Sequence, residues 1–374
     1  MTCAQAVFVG QLGIGGDNPV RVESMLKTPL ENLAGCEAEL RALEQARCEL
    51  VRVAFPCQEL AESLRELCRR SPMPLMADIH FDPALAVMAL RQGCPAVRLN
   101  PGNMSQRDLR EVVAAAEDQG AALRIGANGG SLNNEQLARA GGDRALALLH
   151  AAEEQLAALE KEGFSRIILS AKATSVPETV RANVLLGQRH AAYPLHIGIT
   201  EAGGDVEGIV RGACGIGLLL AQGLGDTVRV SLTGPSPDEV RVGYALLRAL
   251  ELRAVGAQLL SCPTCGRRRA DVSAIAAALR PYLNTFPDGV TIAVMGCEVN
   301  GPREARDADV GIAGSPGGVI LFRRGEYLGE VPRGTPEDVV RALRQALAGL
   351  SQEPCGAGSV GEHGEGGEST DDPS

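Results

Sequence analysis

The sequence predicts an α/β protein, a (β/α)8 TIM barrel followed by a small α+β domain. With 374 residues, the chain is long enough for two domains. Short β-rich segments alternate with helical segments over roughly 250 residues, which is the usual size of such a barrel. No Gly-rich dinucleotide turn follows the first strand, so a doubly wound open sheet fits less well. We expect the barrel at 1–253, the small domain at 254–350 and a disordered tail at 351–374.

Eight segments rich in apolar and β-branched residues are the expected barrel strands. They cover 19–23, 49–54, 74–78, 96–99, 122–127, 166–170, 194–199 and 227–232. Between them, apolar residues recur at i, i+3 and i+4, the spacing of an amphipathic helix. Clear examples are 33–47, 106–119, 144–162 and 237–250. The carboxyl ends of such parallel strands share one rim of the barrel, where TIM-barrel active sites form.

The small domain is predicted from a second series of elements. Strands are expected at 257–261, 290–295, 309–312, 318–322 and 327–331, and helices at 271–283 and 336–350. Two of these strands end at cysteines, which makes the domain a candidate metal-binding module.

Composition and charge narrow the class of protein. Hydrophobic residues make up 45% of the chain and Trp is absent, so the core must consist mainly of Leu, Val, Ile and Ala. We see no signal peptide or membrane span, and we expect a cytoplasmic protein. The net charge is −10, and the tail is acidic, Gly-rich and without Lys or Arg. These features predict a disordered tail and exclude a strongly basic nucleic-acid surface.

Arginines alternate with apolar residues in four predicted strands. Outward-facing residues of a barrel strand pack beneath helices, so the apolar neighbours of each arginine should point outward. The arginines expected inside are Arg52, Arg98, Arg124 and Arg229. Other polar residues in the same register or just past the strand ends are Asp78, His80, Asn100, Asn128, Lys172, His196 and Ser231.

These residues predict a phosphate site at the rim. The alternative is that each arginine pairs with a carboxylate inside the barrel, but we expect little acid there beyond Asp78 and the nearby Glu201. Buried, unpaired charge costs several kcal/mol for each group. Guanidinium groups match phosphate oxygens, and several of them suit a diphosphate. We therefore expect that these basic residues bind an anionic ligand, such as a diphosphate.

Three of the eleven cysteines follow predicted strands of the small domain. Cys262 and Cys265 form a Cys-x-x-Cys pair, and Cys297 follows a later strand. Three thiolates do not complete four-coordination, and the domain has no His for zinc. A thioredoxin-like pair would leave Cys297 unexplained, whereas an iron–sulfur cluster can keep one iron weakly held. Glu304 is a candidate carboxylate ligand, but spacing alone leaves cluster, zinc and structural cysteines open.

These residues carry a resemblance to a known family. Ser-Cys-Pro-Thr-Cys at 261–265 and Met-Gly-Cys-Glu-Val-Asn-Gly-Pro at 295–302 resemble the GcpE family of 4-hydroxy-3-methylbut-2-en-1-yl diphosphate synthases. The barrel is similar at 77–82, 98–103, 194–203 and 225–232, and the likeness covers about 7–350. Two departures stand out. The chain reads Val-Glu-Ser-Met-Leu-Lys-Thr at 22–28, where the family usually has Val-Gln-Ser-Met-Thr-Asn-Thr, and it has Arg303 where Gly is usual.

The resemblance implies a [4Fe–4S] cluster held by Cys262, Cys265, Cys297 and Glu304, with Glu304 also placed to move a proton. It implies reductive opening and dehydration of 2-C-methyl-D-erythritol 2,4-cyclodiphosphate in isoprenoid precursor biosynthesis, with electrons from a flavodoxin or ferredoxin. It also implies a bacterial two-domain homodimer, in which one subunit's barrel faces the other's cluster domain. The substrate would meet Arg52, Asp78, Arg98, Asn100, Arg124, Asn128, Lys172, His196, Arg229 and Ser231.

Two other functions remain open from the sequence. One is a TIM-barrel transferase of the pterin-binding type with a structural zinc in the small domain. The other is a non-catalytic iron–sulfur sensor, which would have no use for the basic barrel pocket.

Overall fold

The computed structural model describes residues 5–79, 82–101, 104–298 and 305–350, without the side chains of 349 and 350. The chain forms two compact units. The first runs to Gly256 and also includes Asn284–Gly289. The second contains Ala257–Leu283 and the described chain from Val290 onward.

An antiparallel hairpin precedes the barrel and was not predicted from the sequence. Its strands are β1 (Val7–Val9) and β2 (Leu12–Ile14). The buried side chains of the hairpin pack on a layer of inward-facing residues at the amino-terminal ends of the barrel strands. That layer consists of Leu50, Met76, Ala96, Ala122 and Ile168. The hairpin therefore closes the amino-terminal end of the barrel.

The eight barrel strands are parallel and follow one another in chain order around the sheet. Leu169 and Leu195 bridge the two ends of the series and close the ring. The predicted TIM barrel is thus confirmed. The strands are β3 (Arg21–Met25), β4 (Leu50–Ala54), β5 (Leu75–Asp78), β6 (Ala96–Leu99), β7 (Ala122–Asn128), β8 (Ile167–Lys172), β9 (His196–Ile197) and β10 (Thr227–Val228).

Helices cover the outside of the barrel. Several begin at polar residues whose side chains accept from backbone N–H groups of the first turn, as Ser105 and Asp143 do. Their apolar faces bury the outward-facing strand residues, including Val51, Val97 and Leu123. The helices are α1 (Leu33–Gln45), α2 (Ala61–Arg70), α3 (Pro83–Arg91), α4 (Gln106–Asp118), α5 (Asn134–Arg139), α6 (Arg144–Lys161), α7 (Val176–Arg189), α8 (Asp205–Leu220) and α9 (Ser236–Ala249).

The second unit is built on a five-stranded mixed sheet. Its strands lie in chain order, the first three parallel and the last three antiparallel to their neighbours. They are β11 (Gln258–Ser261), β12 (Thr291–Met295), β13 (Val310–Gly314), β14 (Gly318–Arg323) and β15 (Glu326–Pro332). Two helices accompany them, α10 (Val272–Leu279) and α11 (Pro336–Leu350). Helix α10 ends earlier than predicted because Pro281 cannot continue the α-helical hydrogen bonds.

Within the part of the chain that the structure describes, no helix combines the length and the apolar character needed to cross a bilayer.

Candidate active site

The interior of the barrel contains a polar layer above the apolar one. In β4, Leu50 belongs to the apolar layer, while Val51 and Val53 pack outward among the helices. Alternation therefore places Arg52 inside. Farther around the ring, Arg98 of β6 and Arg124 of β7 are direct partners. The prediction that these arginines point inward is confirmed.

Asp78, at the end of β5, lies between two of the arginines. Its carboxylate oxygens are 3.5 Å from Nε of Arg52 and 3.7 Å from Nη1 of Arg98. Burial lowers the pKa of Arg52 to about 10, although Asp78 opposes this shift. Arg52 therefore remains charged near neutral pH.

Glu23 and Arg124 form a buried ion pair inside the barrel. Both oxygens of Glu23 accept from Arg124, one of them from Nη2 at 3.0 Å, and both side chains are almost completely buried. Burial opposes ionisation of Glu23. The charge of Arg124 and its hydrogen bonds, with help from Arg52 and Lys172, nevertheless hold the pKa of Glu23 below its usual value. Strands β3 and β7 are four positions apart in a ring of eight, so the pair spans the interior.

A second buried carboxylate reaches the layer from helix α9. Oε2 of Glu239 is 3.3 Å from Nε of Arg229 and accepts a hydrogen bond of 2.9 Å from Ser24. Nζ of Lys27, at the more exposed margin, is 3.2 Å from the other oxygen of Glu239. Glu239 thus binds two cations, Arg229 directly after β10 and Lys27 just after β3.

His196 lies in the same layer and is fully buried. Its Nδ1 is 2.8 Å from the hydroxyl of Thr227 and 3.7 Å from Oε2 of Glu23. Its Nε2 has no hydrogen-bond partner among the described residues. Burial lowers the pKa of His196 well below its usual value, and the nearby cations, of which Arg124 and Lys172 contribute most, add to the shift. The imidazole is therefore neutral near pH 7.

Lys172 is the last residue of β8 and lies among the other cations of the polar layer. Its ammonium group makes no hydrogen bond or ion pair within residues 5–79, 82–101, 104–298 and 305–350. Burial, and then the charges of Arg52 and Arg124, lower its pKa well below the usual value for lysine. An anion placed among these groups would relieve that repulsion.

The remaining predicted residues are partly buried and follow or end strands. Asn128 pairs with Lys172 across β7 and β8, and Ser231 follows β10. Asn100 follows β6 and lines a small polar pocket together with Gln136. His80 and Glu304, which we also predicted from the sequence, lie outside the described residues.

One premise of the phosphate prediction is wrong. We expected little acid at the strand ends beyond Asp78 and Glu201, but Glu23 and Glu239 also lie there and pair with arginines. Each of the four arginines therefore has a carboxylate nearby. The layer still carries more cations than anions, because five basic residues in or directly after the barrel strands, with Lys27 as a sixth at the margin, lie among three carboxylates. The five basic residues are Arg52, Arg98, Arg124, Lys172 and Arg229.

Sequence reasoning missed both carboxylates as site residues. A signal for Glu23 was present, because it is a charged residue within a strand and departs from the family's usual Gln. For Glu239 the signal was its place among apolar residues on the buried face of α9, beside Val240 and Gly243. Thr227, the partner of His196, carried no comparable signal.

In the second unit, the cysteine loops follow adjacent parallel strands. Ser261 of β11 pairs with Val294 of β12, so the two loops begin side by side. The backbone N–H of Gly296 donates to Sγ of Cys262 over 3.2 Å. A Cβ at Gly296 would lie 3.3 Å from that sulfur, so a side chain there would crowd the thiol. This arrangement brings the loop that carries Cys297 against Cys262.

The three cysteines on these loops provide thiols, which are the ligands that iron–sulfur clusters use. Among the described residues, no group of three or more His, Cys, Asp or Glu side chains is arranged to hold a metal ion. Cys265 is exposed, and Cys262 and Cys297 are partly buried.

Comparisons with known proteins agree with the motifs. The family model described as the GcpE TIM-barrel domain matches residues 4–244, and that of the GcpE protein C-terminal domain matches residues 258–348. A protein of Geobacter sulfurreducens is 47% identical, over 90% of this chain and 95% of its own. One of Maridesulfovibrio salexigens is 46% identical, over 87% of this chain and 91% of its own. Both are named 4-hydroxy-3-methylbut-2-en-1-yl diphosphate synthase (flavodoxin).

Among solved structures, dihydropteroate synthase of Yersinia pestis matches with a TM-score of 0.46 at 12% identity, over 66% of this chain and 98% of its own. A likeness at that level carries no functional argument. The names of the relatives and the matched family models do not favour the pterin-type transferase considered from the sequence. The two family models cover both units of the structure. The chain belongs to the GcpE family.

Proposed function

We propose that this protein is a 4-hydroxy-3-methylbut-2-en-1-yl diphosphate synthase. It would open the ring of 2-C-methyl-D-erythritol 2,4-cyclodiphosphate and remove water, consuming two electrons and two protons for each substrate molecule. The proposal rests on the observation that the same chain has a cation-rich barrel interior and three cysteines on two adjacent strand-end loops. Family membership supports the same reaction.

The barrel residues would bind the cyclic diphosphate. Lys172 and Arg52 are partly buried cations whose lowered pKa values reflect burial, and an anion would stabilise their charged forms. Arg229 has contacts of 3.3 Å or longer to Glu239, so it can turn toward a phosphate at modest cost. The partnerless Nε2 of neutral His196 suits a hydroxyl of the substrate. The set would be completed by Asp78, Arg98, Asn100, Arg124, Asn128 and Ser231.

The cysteine loops would hold a [4Fe–4S] cluster through Cys262, Cys265 and Cys297, with Glu304 as the fourth ligand. When bound, the cluster supplies electrons one at a time for cleavage of a C–O bond. The arginines of the barrel would stabilise the negative charge that develops on the departing phosphate oxygen. Glu304 would hold or deliver a proton for the hydroxyl that leaves as water.

The proposal also includes partners. The names of the relatives point to a flavodoxin as electron donor, and a ferredoxin is the alternative. We further propose a cytoplasmic homodimer in which the barrel of one subunit works with the cluster unit of the other.

The test uses protein purified without oxygen, comparing wild type with Cys297→Ala and with Cys214→Ala. Cys214 is exposed on α8, so it serves as a matched control. We expect about four irons and four sulfides per wild-type chain. Turnover of the cyclodiphosphate with a reduced flavodoxin should be lost with the cluster in Cys297→Ala and retained in Cys214→Ala. One zinc ion and no sulfide would refute the proposal.

A further inference from the structure

Glu23 places a negative charge inside the cation-rich layer. It is fully buried, and both of its oxygens bind Arg124. One of these oxygens is also 3.7 Å from Nδ1 of His196. Gln is the neutral side chain of the same shape, and relative to it Glu23 adds one negative charge to the region proposed to bind the substrate.

Stability alone is a weak reason for this carboxylate. Removing two charges from water offsets much of their mutual attraction, so a buried ion pair often contributes little net stability. A Gln at position 23 could still accept a hydrogen bond from Arg124 through its amide oxygen. What Gln lacks is the charge, and the charge acts on every ion bound within the same layer.

Charge acts differently on the two ligands of the proposed reaction. The Coulomb energy between a fixed charge and a ligand is proportional to the charge of the ligand. Each phosphate of a cyclic diphosphate has a single ionisable oxygen. Opening the ring frees a terminal phosphate, which gains a second ionisation with a pKa of about 6. The open-chain product is therefore the more negative ion near neutral pH.

We propose that Glu23 is a specificity-determining residue that disfavours the open-chain diphosphate relative to the cyclic one and thereby assists release of product. The identity of the two ligands rests on the proposed function. By engaging Arg124, Glu23 also restricts a guanidinium that would otherwise bind the additional charge. Lys172, Arg52 and Arg229 remain for the charges that the two ligands share.

The experiment measures dissociation constants by calorimetry for anaerobically purified holoenzyme. Wild type, Glu23→Gln and Glu117→Gln are titrated with the cyclic substrate, the open-chain product, inorganic phosphate and inorganic diphosphate. Glu117 pairs with Arg166 near the end of α4, is half exposed and provides the same change of charge elsewhere. Glu23→Gln should lower the dissociation constant of the product by a factor at least about five times larger than that of the substrate. It should likewise lower the dissociation constant of diphosphate more than that of phosphate. Glu117→Gln should leave all four constants unchanged.

The ligands are compared in two pairs, substrate with product and phosphate with diphosphate. Equal changes of affinity within each pair, or weaker binding of the more negative ligand, would overturn the proposal. Glu23→Ala repeats the test without an amide against Arg124, in case Glu23→Gln does not yield folded holoenzyme. If wild type does not convert the cyclodiphosphate, the proposed function fails. The phosphate and diphosphate titrations would then still decide whether the charge of Glu23 discriminates between anions.

Discussion

The interior of the barrel contains two neighbouring layers of side chains that differ in chemistry. The layer toward the amino-terminal ends is apolar, and the hairpin β1–β2 packs on it. The layer toward the carboxyl ends consists of charged and polar residues, with carboxylates distributed among a larger number of cations. The first layer gains stability from burial, whereas the second removes charges from water and recovers only part of that cost through ion pairs. Within one barrel, the apolar layer therefore contributes stability, and the polar layer is the one that we propose binds the substrate.

The largest expected effect comes from breaking the ion pair of the polar layer. Arg124→Gln leaves Glu23 buried without its main partner, which should lower the free energy of unfolding by about 3–5 kcal/mol. The double variant Glu23→Gln/Arg124→Gln should recover a large part of this loss. Thermal unfolding of the three proteins under identical conditions measures the effect. A single variant as stable as wild type would show that the pair is unimportant for the barrel.

Lys172 provides the converse case, in which a residue of the polar layer is expected to reduce stability. Lys172→Met removes a cation whose pKa is lowered by burial and by its neighbours, so the apo protein should be at least as stable. Binding of inorganic diphosphate should weaken about tenfold, a loss of about 1.4 kcal/mol. Calorimetry in buffers of different ionisation enthalpy should also detect proton uptake by wild type and less by the variant. Unchanged affinity would remove Lys172 from the binding site.

His196 makes the polar layer sensitive to acid. Its pKa is lowered by burial and by Arg124, Lys172, Arg52 and Arg229, while Glu23 is the carboxylate beside it. The unfolded chain therefore binds a proton at a higher pH than the folded chain. The contribution of neutral His196 to the free energy of unfolding should be fully present above the ordinary His pKa of about 6.5. It should decrease as the pH falls below that value, by at most about 1.4 kcal/mol per pH unit for one proton.

The variant His196→Gln tests this dependence. It should show a shallower loss of stability between pH 6.5 and more acidic conditions, as measured by denaturant unfolding at each pH. His150→Gln is the control, because His150 lies on helix α6 and is not part of the polar layer. Equal pH profiles for wild type and His196→Gln would contradict the assignment.

The smallest effect is expected in the apolar layer. Ile168→Val removes one methylene group from a fully buried side chain and should cost about 0.5–1.5 kcal/mol. Because Ile168 belongs to the layer against the hairpin, the affinity for diphosphate should not change. Chemical denaturation and the same calorimetric titration provide the two measurements. A change in affinity would mean that the layers are less independent than their chemistry suggests.

The sequence was sufficient to predict the barrel and the direction of the arginines. Both follow from the period of two in a strand, and Val51, Arg52 and Val53 show it within three residues. The β1–β2 hairpin was missed because strands of three residues are too short to establish a period. Strand β9 is shorter than predicted, and Gly198 follows it where a Cβ would lie 2.7 Å from the carbonyl oxygen of Arg229.

The partners of the arginines could not be read from the sequence. Glu239 reaches Arg229 from a helix, and Glu23 meets Arg124 across the interior of the barrel. Local patterns identify which residues point inward, but not which distant residues then come within reach. We expected few carboxylates inside the barrel because few lie near each arginine in the sequence. It was wrong because the relevant neighbours are those across the closed ring.

The β1–β2 hairpin also determines how ligands can enter and leave the barrel. Because Val7, Val9 and Ile14 seal one end of the barrel with packed apolar side chains, the interior has a floor and is not a tunnel. A molecule that reaches the polar layer must leave by the rim through which it arrived. If the substrate binds in the polar layer as we propose, substrate and product share one path, and the product must leave before the next substrate molecule can enter.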